Sequence, residues 1–116
     1  MKNRLLVIGL DCAAPALVFD RATELPNLKK LMDAGIYGRL RSCDPPITIP
    51  AWMVMATGRD PGQLGLYGFR HRRGYEYNKM WIANSTAIKE KTVWDYLGEQ
   101  GRESILVSIQ IGRAHV

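Results

Sequence analysis

The run Leu5-Leu6-Val7-Ile8-Gly9-Leu10 ends abruptly on Asp11. A short continuous apolar stretch, with Arg4 before it and a carboxylate after it, has the pattern of a strand buried on both faces of a parallel sheet. Asp11 then falls at the carboxyl end of that strand, where open α/β sheets bind their ligands. Working outward, residues 15–22 and 27–34 have helical composition. In the second of these, Leu28, Leu31 and Met32 form an apolar stripe, and Gly35 is the expected left-handed stop. Residues 36–42 alternate apolar with small or basic side chains, as a strand nearer a sheet edge does.

Asp44-Pro45-Pro46-Ile47-Thr48 reads as a rigid loop, because each proline removes a backbone donor and pushes the residue before it toward extended geometry. An apolar helix is expected over 50–56, with Pro50 in its first turn and Gly58 closing it. Arg59-Asp60-Pro61-Gly62 is a turn, and residues 63–88 show no clear pattern. Thr92 is an expected N-cap with Asp95 three residues on, a capping-box start for a helix ending at Gly98 or Gly101. Residues 104–109 read as a second buried strand. The alternation predicts an α/β fold with a doubly wound, mostly parallel sheet.

Composition supports a folded domain, since 47% hydrophobic and 23% charged residues lack the polar bias of disordered chains. No run approaches the roughly 18 apolar residues of a membrane span, so no membrane partner is expected. The apolar run after Met1-Lys2-Asn3-Arg4 is shorter than the about 7 to 15 residues of an export signal. Cys12 and Cys43 make no disulfide framework and no zinc spacing. A cytoplasmic location follows as the expectation. The net charge is +5, with part of the excess in Arg70-His71-Arg72-Arg73. That run reads as a solvated loop, and nucleic acid is not an expected partner because basic and aromatic residues do not alternate there.

The last residues, Gln110-Ile111-Gly112-Arg113-Ala114-His115-Val116, have neither strand nor helix logic. Their last six correspond to the translation of a common sequencing adapter, ATC GGA AGA GCA CAC GTC followed by the stop TGA. Residues 110–116 are therefore expected to be a non-native tail, and residues 1–109 the front part of a longer catalytic domain. His115 is accordingly not read as a ligand.

Two residues stand out chemically. Asp11 is placed to hold a cation or a ribose, or else to cap the helix that follows it. Thr48 lies before a helix whose free N–H groups attract an anion, although its hydroxyl could equally be that helix's N-cap.

Val7-Ile8-Gly9-Leu10-Asp11, Leu25-Pro26-Asn27-Leu28, Pro46-Ile47-Thr48-Ile49-Pro50-Ala51-Trp52, Thr57-Gly58-Arg59-Asp60-Pro61 and Gly65 occur in an order that resembles the opening of the type I phosphodiesterase and nucleotide pyrophosphatase family of the alkaline phosphatase superfamily. The resemblance implies an incomplete alkaline phosphatase-like domain that hydrolyses a small-molecule phosphoester at two divalent metal ions, usually zinc. It makes Asp11 a metal ligand and Thr48 both a metal ligand and the nucleophile. The sequence departs from the family at three places. Leu64-Gly65 stands where many members have His-Gly, Phe69 where nucleotide pyrophosphatases have a phosphate-binding Asn, and Cys12 where Gly is common. These departures leave open a phosphomutase or sulfatase-like relative, and a noncatalytic anion-binding module remains the reading from another class. His71 is the one other histidine. Metal ligands are therefore too few here, and the 116 residues alone are expected to be inactive.

Overall fold

Ile49, Met53 and Ala56 recur at helical spacing, and they are the buried face around which the larger part of the chain is built. The structure is a computed structural model that describes residues 4–110, in two units that divide between Arg41 and Ser42.

In the first unit, α1 (Pro15–Val18) and α2 (Pro26–Ala34) both begin on a proline, whose missing N–H is no loss at a helix start. A single turn of 3-10 helix at Ala22–Glu24 leads into α2. Lys29 and Asp33 pair across one turn of α2 at 2.9 Å. Gly35 ends the helix in an extended conformation, not the expected left-handed one. A Cβ there would sit 3.1 Å from the Leu31 carbonyl oxygen, so close approach of backbone is what favours glycine. Leu31 itself is exposed, whereas Leu28 and Met32 are half-buried.

The second unit is organised by α3 (Thr48–Thr57). It starts two residues earlier than expected, because the first-turn N–H groups have no helical acceptor and Pro50 can sit among them. It stops where Gly58 turns left-handed at φ 68° and donates its N–H to the Val54 carbonyl at 2.8 Å. Asp60 then caps the short α4 (Pro61–Leu64), its carboxylate accepting from the Gln63 N–H at 2.9 Å. Leu66, Ala83 and Ile88 complete the core, with Leu64, Trp81, Ala87 and Trp94 packed against it. The last helix, α5 (Val93–Glu99), begins with the expected capping box of Thr92 and Asp95.

Strand β1 (Arg70–Arg72) pairs antiparallel with β2 (Met80–Ile82), in the region where no element was expected. His71 faces Trp81 across the pair, their rings stacked 4.8 Å apart, and both are half-buried. His71 Nε2 also lies 3.0 Å from the Gly68 carbonyl oxygen.

The three expected strands are corrected by this structure. Residues 5–10, 36–42 and 104–109 carry no strand, and Leu5 (88%) and Val107 (76%) are largely exposed. The reason is that a strand exists only with a partner. An antiparallel pair closes through a short local loop, whereas a parallel pair needs a crossover of about a dozen residues or more. Among the described residues the single sheet is the β1–β2 hairpin, which is too small to display a doubly wound sheet.

Candidate functional site

Thr48 is the first residue of α3, and the cap position before it is held by Ile47, in extended geometry and without a side-chain capping bond. The N-cap role for Thr48 is thereby replaced: its hydroxyl makes no hydrogen bond among the described residues. Ala51 donates to the Ile47 carbonyl at 3.0 Å, and Pro50 has no N–H to donate. The N–H groups of Thr48 and Ile49, the positive end of the helix dipole and a half-buried hydroxyl are therefore grouped at one helix start. That set can bind an anion and present an oxygen nucleophile to it.

Asp11 is exposed, and its Oδ1 accepts the Cys12 N–H at 3.0 Å. It does not cap α1, whose cap residue is Ala14. Cys12 adopts φ 60°, a left-handed conformation that glycine takes without cost. Asp11 belongs to the first unit and Thr48 to the second.

Among the described residues no group of three or more His, Cys, Asp or Glu side chains could hold a metal ion. Oxygen donors such as Asp11 and Thr48 suit a divalent cation, but two fall short of the three or four protein ligands that zinc takes. The described residues do not make a zinc centre by themselves. Leu64 ends α4 and packs on the core. Phe69 is exposed, and its carbonyl accepts the Ala83 N–H at 2.9 Å. Of the expected tail over residues 110–116, residues 111–116, with His115, lie outside the described residues.

The chain belongs to the type I phosphodiesterase / nucleotide pyrophosphatase family, whose model matches residues 5–110. Phosphoester hydrolysis of the phosphodiesterase and pyrophosphatase type, on an alkaline phosphatase-like α/β fold, is the chemistry of that family. Comparison with curated proteins and with solved structures gives no match.

Proposed function

We propose that this chain is the amino-terminal part of a metal-dependent phosphoester hydrolase in which Thr48 is the nucleophile. The observation that carries the proposal is the start of α3, where the Thr48 hydroxyl is left unbonded beside helix N–H groups with no side-chain cap. A phosphate oxygen accepts from those N–H groups, and the helix dipole favours the charge that builds on the phosphoryl oxygens. Thr48 Oγ1 then attacks phosphorus in line with the leaving oxygen. An O–P bond forms to threonine as the ester O–P bond breaks, and the proton released by the Thr48 hydroxyl passes through solvent to the departing alkoxide. Water later cleaves the phosphothreonine. A threonine hydroxyl is a weak nucleophile at neutral pH, and a bound dication, zinc by the resemblance, supplies the Lewis acidity that lowers its pKa. Asp11 and Thr48 are the donors this chain contributes, and residues beyond these 116 complete the set.

The test is hydrolysis of bis(p-nitrophenyl) phosphate by the full-length protein and its variants. Thr48→Ala and Asp11→Asn each lower turnover by about a thousandfold or more with unchanged circular dichroism. The 116-residue chain shows no turnover. Undiminished activity in Thr48→Ala would remove the nucleophile assignment.

A further inference from the structure

We propose that the outer face of the β1–β2 hairpin docks on a membrane surface rich in anionic lipid. The pairing Arg70↔Ile82 and Arg72↔Met80 puts two guanidinium groups and two aliphatic side chains on one exposed sheet face, since side chains alternate along each strand. Ile82 is 69% exposed and Met80 54%. In the loop between the strands Tyr75 is fully exposed, and Arg73 adds a third guanidinium. Lys79 is neutralised by Glu76 at 2.9 Å, whereas Arg70, Arg72 and Arg73 have no ion-pair partner among the described residues. The face therefore combines free positive charge with apolar side chains. That combination is drawn to phosphate headgroups while its apolar members enter the headgroup boundary.

Single-stranded nucleic acid is the other polyanion to weigh, and the ring geometry disfavours it. Bases need open aromatic faces. Arg72 lies over the Tyr77 ring at 4.1 Å, and His71 covers Trp81. Tyr77 and Trp81 are thus already covered, which leaves Tyr75 as the hairpin's one open ring, whereas a platform for successive bases needs several. The expectation of no membrane partner rests on the lack of a spanning run, and a peripheral face is a different signal. The proposal uses neither Thr48 nor Asp11, and its test is made on the full-length protein that the catalytic reading requires.

Co-sedimentation of the full chain with phosphatidylcholine vesicles, pure or with about 20 mol% phosphatidylserine, tests it. Binding is expected only to the mixed vesicles, and salt weakens it. Replacing Arg70, Arg72 and Arg73 together with Ser reduces partitioning by about a hundredfold, at about fivefold per arginine. A second variant, Met80→Ser with Ile82→Ser, keeps the charge and still weakens binding severalfold. Circular dichroism confirms that both variants fold. Binding to pure phosphatidylcholine at equal strength, no binding to either vesicle, or binding that ignores Met80 and Ile82 would each overturn the proposal. Preferential binding of an oligothymidylate that competes with the mixed vesicles would overturn it in favour of nucleic acid.

Discussion

Thr92 and Asp95 clasp each other at the head of α5. Thr92 Oγ1 donates to Asp95 Oδ2 at 2.6 Å, and the Thr92 backbone N–H donates to the same oxygen at 2.8 Å. The Asp95 N–H reaches back toward Thr92 Oγ1 at 3.4 Å. Thr92 is only 2% exposed, so water cannot take the place of these bonds. Thr92→Ala is expected to lower stability by about 1–2 kcal/mol, the upper part of the range for a lost N-cap. Urea denaturation followed by circular dichroism measures it, and a midpoint equal to the parent's would show that the clasp contributes nothing.

Gly58 ends α3 by the same kind of local logic. Its φ of 68° lies in the left-handed region, and a Cβ placed there meets no atom within 4 Å. The cost of Gly58→Ala is therefore conformational and free of clashes. About 1 kcal/mol of destabilisation is expected, with Gly58→Asn costing less because asparagine tolerates this geometry. If the two substitutions shift the urea midpoint equally, backbone conformation is not the cause.

Both features were legible in the sequence because each is settled within a few consecutive residues. Thr92 and Asp95 are three apart, and Gly58 directly follows an apolar helical run. The start of α3 was legible only in part: Pro45 and Pro46 force a loop before it, but the expected start at residue 50 left Thr48 and Ile49 outside the helix. The strands were not. Residues 5–10 have a buried strand's composition, but composition names no partner, and pairing depends on residues far along the chain. The hairpin escaped for the opposite reason. Its strands are three residues each, too short for a period to register, and Arg70-His71-Arg72-Arg73 has the composition of a loop.

Met53 carries the largest single share of the core. It is fully buried in α3, one turn after Ile49 and nearly one turn before Ala56. Met53→Ala removes buried methylenes and the thioether and leaves a cavity, at an expected cost of about 2–5 kcal/mol. Met53→Leu conserves volume and should cost less than about 1.5 kcal/mol. Against a total stability of roughly 5–15 kcal/mol for a small domain, the alanine variant is expected to melt at a markedly lower temperature. Calorimetry of the two variants distinguishes packing from a general sensitivity of α3, which would make both equally damaging.

Lys91 donates a hydrogen bond to Glu99 at the far end of α5. This hydrogen bond, then the charge of Glu99, raises the Lys91 pKa above its ordinary 10.5 against a smaller lowering by desolvation, with Tyr96 and Asp95 adding least. A folded pKa above the unfolded one means that the folded state holds the proton more tightly. The stabilisation is complete below the unfolded pKa and disappears as pH climbs through the raised folded value. The pair is exposed, so the effect is small and weakens with salt. Lys91→Met is expected to flatten the alkaline fall in thermal midpoint between about pH 9 and pH 12 at low salt, while leaving the acidic side of the profile governed by the carboxylates. An alkaline slope in the variant identical to the parent's would assign that fall to the tyrosines and other lysines, and would leave the Lys91–Glu99 pair without influence on folding.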